Sequence, residues 1–103
     1  MIETIFEQLE ESFQSNRIDK SLSYYFSIED VKKTVYLEPD SCRVEDGKST
    51  DSADCVCKTT ADFFNKIWNE NYRPGLQDFL SGAIRSNNPE ALKTFLTAFG
   101  KDA

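Results

Sequence analysis

Histidine is absent from the 103-residue chain, and glycine (four), proline (three), tryptophan (one) and methionine (one) are scarce. Without histidine, the commonest metal ligand and acid–base group near neutral pH is missing, which excludes Ser-His-Asp, Cys-His and His-metal chemistries. No apolar run approaches the roughly 18–20 residues that span a bilayer. A basic excess is lacking too. The 18 acidic and 12 basic side chains leave a net charge of -6, which argues against a nucleic-acid backbone or an anionic membrane as a main partner. The opening MIETIFEQLEESF carries glutamates where a secretory signal carries basic residues, so it reads as mature protein.

What is present is a globular composition. Hydrophobic residues make up 39% and aromatics 13%, with eight Phe, too apolar for an acidic disordered chain. The length fits a single domain over residues 1–103. Three cysteines, Cys42, Cys55 and Cys57, are an odd count and a poor disulfide framework, which suggests a reducing, cytoplasmic compartment. Cys55-Val56-Cys57 lacks the C-x-x-C spacing of zinc and redox motifs. Its alternation places both cysteines on one strand face as small buried hydrophobes. Asp51, Asp54 and Asp62 have no calcium-loop spacing, so neither a metal nor a cofactor is expected. Glu7, Glu10 and Glu11 read as a solvated helix face.

Periodicity divides the chain. Ile2, Ile5, Phe6, Leu9 and Phe13 follow the spacing of a one-sided helix ending near Asn16. Leu22 to Ile28, Lys33 to Leu37, Ser41 to Glu45 and Asp54 to Thr59 read as short strands with turns at Glu29-Asp30, Pro39-Asp40 and Asp46-Gly47. Tight connections suggest an antiparallel meander with one wet face. Lys48 to Ser52 reads as loop. Thr60 is a candidate N-cap for a helix bearing Phe63, Phe64, Ile67 and Trp68, which Asn71 and Pro74-Gly75 end. Leu76, Phe79 and Leu80 define a short helix closed by Gly82, and residues 83–86 a short strand. Asn88-Pro89-Glu90 starts a last helix with Leu92, Phe95, Leu96 and Phe99, closed by Gly100. Helices covering one face of such a sheet make a two-layer α+β domain.

That order, and above all the stretch Ala53-Asp54-Cys55-Val56-Cys57-Lys58-Thr59-Thr60-Ala61-Asp62-Phe63-Phe64, resembles the sterol carrier protein 2 (SCP2) family. Pro74 through Phe79-Leu80-Ser81-Gly82 is similar to that family's proline, apolar helix and glycine before the last strand, and Asp46-Gly47-Lys48 matches one of its turns. The sequence departs from the pattern at Ser86, at Asn88-Pro89, at Asp78, in Asn69-Glu70-Asn71, which lacks a glycine, and in one extra residue between Pro74 and Gly82. The resemblance implies a five-stranded, mostly antiparallel sheet covered on one face by helices. It also implies a small lipid carrier without catalysis, holding a sterol, fatty acid or acyl-CoA between sheet and helices.

The lining residues expected on that basis are Phe63, Ile67, Trp68, Leu76, Phe79, Leu80, Ile84, Leu92, Phe95, Leu96 and Phe99. Ordinary core packing is the competing reading for each. The alternative function is an SCP2-like interaction or accessory module without a tunnel. Expected partners are a lipid or other apolar small molecule, no nucleic acid and at most transient membrane contact, in a monomer or homodimer. The terminal Lys101-Asp102-Ala103 is not a peroxisomal tripeptide. An empty apolar void of about 300 Å3 costs about 7 kcal/mol at roughly 24 cal/mol per Å3. That rivals the roughly 5–15 kcal/mol stability of a whole domain. The protein is therefore expected either to carry a lipid or to close its tunnel.

Overall fold

A computed structural model describes residues 2–100. The terminal tripeptide lies outside the described residues. Two short helices open the chain, α1 (Ile2–Glu7) and α2 (Leu9–Ser12). The expected single helix breaks at Gln8, whose N–H is shared between the Thr4 and Ile5 carbonyls. The break turns α2 onto the sheet edge, where the Glu10 carboxylate accepts the Val44 N–H at 3.0 Å. Glu10 is thus an edge cap and not merely a solvated charge. Asn16, at φ 65°, stops the segment and donates to the Pro39 carbonyl.

Five strands follow the expected order: β1 (Leu22–Ile28), β2 (Val31–Glu38), β3 (Ser41–Asp46), β4 (Cys55–Thr59) and β5 (Ile84–Ser86). The hairpin between β1 and β2 closes at Glu29-Asp30, with Ile28 paired to Val31. Glu29 has a positive φ of 55°, and its carboxylate accepts the Ala61 N–H, tying the turn to the start of the next helix. Strands β1, β2 and β3 form an antiparallel meander. The fourth strand does not extend it. It lies parallel to β1 on the other side, giving the order β3-β2-β1-β4-β5.

The connection that makes β4 parallel crosses the outer face of the sheet. Thr34, fully buried, donates to the Gly47 carbonyl at 2.7 Å and accepts the Ser49 N–H at 3.1 Å. Tyr36 and Ser49 share a hydroxyl bond, and the Lys48 ammonium sits over the Tyr25 ring. These polar contacts carry the chain from one edge of the sheet past β2 and β1. The wet face expected from alternation is therefore partly covered.

Helices α3 (Ala61–Asn69), α4 (Leu76–Ser81) and α5 (Pro89–Ala98) complete the fold. Thr60 caps α3 by accepting the Phe63 N–H, and Asn88 caps α5 by accepting the Ala91 N–H. Gly82, at φ 84°, ends α4 in the left-handed conformation that glycine adopts at least cost. Side chains alternate along the strands. Tyr24, Phe26, Ile28, Val35, Leu37, Cys55, Cys57 and Ile84 join the buried residues of α1, α3 and α5 in one core. Cys55 and Cys57 are buried free thiols, as the alternation predicts. Among the described residues no helix is long and apolar enough to cross a membrane.

Candidate ligand-binding site

The space between sheet and helices is where an apolar guest would sit. Rings fill it. Phe95 on α5 lies 4.9 Å from Phe26, 5.2 Å from Tyr24, 4.8 Å from Phe99 and 6.0 Å from Trp68, centroid to centroid. Phe6 on α1 stacks on Phe64 at 5.7 Å and meets Phe26 at 5.5 Å, while Phe64 stacks on Trp68 at 6.2 Å. These distances fall in the 4.5–7 Å range of favourable aromatic pairs. The cluster is continuous from α1 across the sheet to α5. The Tyr24 hydroxyl donates to the Ala91 carbonyl at 2.7 Å, so its burial leaves no unpaired polar atom. Burial also raises the Tyr24 hydroxyl pKa, with lesser contributions from Cys55 and Asp54.

The eleven expected lining residues separate into three groups. Ile67, Trp68, Ile84, Leu92, Phe95, Leu96 and Phe99 lie buried in the core. Phe63 and Phe79 are half-buried against it. Leu76 and Leu80 do not line the interior at all, being 75% and 73% exposed. Their spacing correctly marks one side of a helix, but α4 turns that side outward and buries no residue.

A small apolar cleft lies between α4 and α5. It holds about 70 Å3 and is lined by Arg73, Pro74, Phe79, Pro89, Leu92, Lys93 and Leu96. Phe79 is the contribution of α4; Leu92 and Leu96 belong to α5. Pro74, Pro89, Arg73 and Lys93 were not expected there. Pro89 at the first helical position and Pro74 in the loop are signals of chain direction, and neither points to a cavity. A larger depression of about 250 Å3 adjoins the cleft, lined by Arg73, Lys93, Leu96 and Thr97, and another lies between Asn16–Lys20 and Thr94 and Thr97.

The Asp78 carboxylate caps the start of α4, while the half-buried Phe79 ring packs the helix against the core. The Asp78 carboxylate accepts the Gly75 N–H at 2.9 Å and the Tyr72 hydroxyl at 2.7 Å. Those two bonds, with lesser help from Lys66, hold the Asp78 carboxyl below its usual pKa. The Tyr72 hydroxyl is raised by the same bond. Tyr72 in turn packs edge-on against Phe63 at 5.5 Å, under the Lys66 ammonium at 4.9 Å. Lifting α4 would break the Tyr72–Asp78 bond and withdraw Phe79 from Leu92 and Leu96 across the cleft. No group of three or more potential metal ligands occurs among the described residues.

No protein-family model matches the chain, and no curated protein matches it. Solved structures do. The sec-alkylsulfatase Pisa1 from Pseudomonas sp. superposes with a TM-score of 0.76 at 14% identity over 97% of this chain, which spans 16% of that enzyme's length. The apo form of Sterol Carrier Protein 2 from Yarrowia lipolytica gives 0.61 at 13% identity, covering 92% of this chain and 89% of that one. UbiJ-SCP2, a ubiquinone synthesis protein, gives 0.58 at 16% identity over 84% and 69%. At these identities the likeness is one of fold, and the fold is that of SCP2 domains: α+β, with a mostly antiparallel five-stranded sheet.

Proposed function

From an SCP2 fold closed on its own aromatic rings, we propose that the protein binds the apolar part of a lipid-class molecule and carries out no chemistry of its own. Sterols, fatty acids and acyl-CoAs are the candidates. The ligand enters at the α4–α5 cleft by lifting α4, and its tail lies against Leu92, Leu96, Phe63 and Phe79. The observation that carries this reading is the cleft itself, an apolar opening roofed by a helix that buries no residue.

Magnitudes favour opening over a standing tunnel. A space of 70 Å3 admits only about two groups of water size, so the closed cleft is too small for a lipid tail. A tail of a dozen methylenes gains about 10 kcal/mol gross on burial, at roughly 0.8 kcal/mol each, before ordering costs. Against that stand the Tyr72–Asp78 hydrogen bond and the half-buried ring of Phe79. Closing in the absence of ligand also avoids the void cost worked out above. Three unpaired thiols support a reducing, cytoplasmic setting.

Displacement of a fluorescent fatty acid, read with native mass spectrometry of the expressed chain, tests the proposal. Saturable displacement, or a retained lipid mass, is the expected result. A clean apo mass with no saturable uptake favours the second reading, an SCP2-like accessory module. The filled interior favours that reading, as does the fold's place as 16% of a larger enzyme. Light scattering distinguishes monomer from homodimer.

A further inference from the structure

On the sheet face turned away from the core, the outward positions of β1, β4 and β5 are Ser23, Tyr25, Ser27, Val56, Lys58 and Arg85, with no carboxylate among them. Lys58 and Arg85 stand directly opposite each other in the β4–β5 register. Side chains at such a pair come within about 4.5–5.5 Å at Cβ, and like charges there destabilise a sheet. A third cation joins them, since the Lys48 ammonium lies over the Tyr25 ring and Tyr25 is the register partner of Val56. Acids dominate the chain as a whole, yet none relieves this repulsion. Asp54 accepts the Ser23 N–H at 2.8 Å, Glu29 accepts the Ala61 N–H, and Glu90 lies 3.7 Å from Lys93. Asp51 in the crossover loop and Asp62 in the first turn of α3 are exposed. Among the described residues neither of them, nor any other carboxylate, forms an ion pair with Lys48, Lys58 or Arg85. With Asp51 and Asp62 both counted, the three cations are still in excess.

Lys58 and Arg85 border a cleft of about 270 Å3, lined also by Val56, Ser86 and Asn87. Asn87 is fixed at its rim, because its side-chain oxygen accepts the Val56 N–H at 2.8 Å. Its amide NH2 is left as a donor with no acceptor among the described residues. Ser86 serves the fold instead, bonding the Cys55 thiol and the Asn88 N–H. We propose that this cleft binds a soluble phosphate monoester, with its dianionic oxygens on Arg85, Lys58 and the Asn87 amide and its organic group over Val56. The planar fork of arginine and the point charge of lysine both suit phosphate oxygens. Two cations match a double negative charge, and the bound ligand removes the repulsion between them. An extended polyanion would bring its charge against the acidic rest of the chain. A small ester stays within about one Debye length, about 8 Å, of the three cations. The site lies on the β4–β5 sheet face, apart from the α4–α5 cleft, and holds whether or not that cleft takes a lipid.

An NMR titration with phenyl phosphate at constant ionic strength tests this, with phenyl sulfate as a monoanion of similar shape. Saturable amide shifts at residues 56–58 and 85–87 and at the Asn87 side chain are expected for the phosphate, with a Kd of about 1 mM or below. The sulfate should bind at least about fivefold more weakly. Phosphate binding should also weaken about fivefold between about pH 7.5 and about pH 5, as the ester regains a proton with a pKa of about 6. The chain has no histidine to titrate in that interval. Arg85→Gln and Lys58→Gln should each weaken binding about tenfold. Both side chains are exposed, and removing one of two facing cations should leave the thermal midpoint unchanged or higher, which verifies folding. The proposal is overturned if no shift saturates by about 10 mM, if the sulfate binds equally well, or if the shifts centre away from β4 and β5. It is also overturned if neither substitution weakens binding.

Discussion

Phe95→Ala probes the filled interior most sharply. The ring is fully buried and touches Tyr24, Phe26, Trp68 and Phe99 at centroid distances of 4.8–6.0 Å. Truncating a buried Phe costs about 3–5 kcal/mol. Four lost ring pairs, each worth about 0.5–1.5 kcal/mol beyond area burial, place this site in the upper half of that range. A loss of about 4 kcal/mol would take a large share of the roughly 5–15 kcal/mol available to such a domain. At about 4–8 °C per kcal/mol, the thermal midpoint should fall by about 15–30 °C. Urea unfolding with its slope monitored is the assay, since an unchanged slope certifies that the midpoint reports stability. The new hole is apolar, so a small aromatic such as benzene at about 100 times its Kd should restore about 2.7 kcal/mol. A loss below about 1 kcal/mol with an unchanged slope would mean that the ring was never tightly packed. The interior would then be open space, contrary to the structure.

Two further outcomes follow from the same contacts. Asp78→Asn removes the charge from the acceptor that holds Gly75 and Tyr72, so the amides of Leu76–Ser81 should exchange with deuterium faster while those of β1 stay protected. Equal protection in the variant would show that α4 is held by something else. At alkaline pH the cysteines should destabilise the fold. Burial raises Cys57 to about 12, with Cys55 adding to it, and burial with Glu10 raises Cys42 to about 12, from an ordinary 9.0. Burial lifts Cys55 as well. The unfolded chain sheds these protons first, so stability is full below pH 9.0 and falls as pH climbs from there through about 12. A urea midpoint that holds steady to pH 12 would contradict the burial of these thiols.

Local signals were legible in the sequence because their causes are local. Thr60, Asn88-Pro89 and Gly82 announce helix ends through bonds made within a turn, and each does so in the structure. Alternation in Leu22-Tyr24-Phe26-Ile28 fixes a strand and its inward side. The direction of β4 was not legible. Its partner is chosen by a polar crossover from Gly47 to Asp54, whose anchors on Thr34 and Tyr36 join residues 13 and 15 positions apart. The break at Gln8 likewise reflects the pull of β3 on Glu10.

The candidate site was half legible for a similar reason. A helical spacing such as Leu76, Phe79, Leu80 specifies which residues share a side, but what that side faces depends on the rest of the chain. Phe79 faces α5 across the cleft, and the two leucines stand exposed. Filling of the interior depends on ring volume contributed from both layers. Phe6, Phe64, Tyr24 and Phe26 each look like ordinary stripe or strand residues until they are counted in one space. Arg73 and Lys93 carry no periodic signal, and only the fold brings them to one cleft.

An apolar ligand entering where α4 meets α5 would perturb the residues around that cleft first. Amide chemical shifts recorded by NMR while the chain is titrated with a long-chain fatty acid test it most directly. Saturable shifts confined to residues 72–82 and 88–97, with β2 and β3 unmoved, are expected. Shifts centred on β2 and β3, or none at any fatty acid concentration below micelle formation, would contradict it.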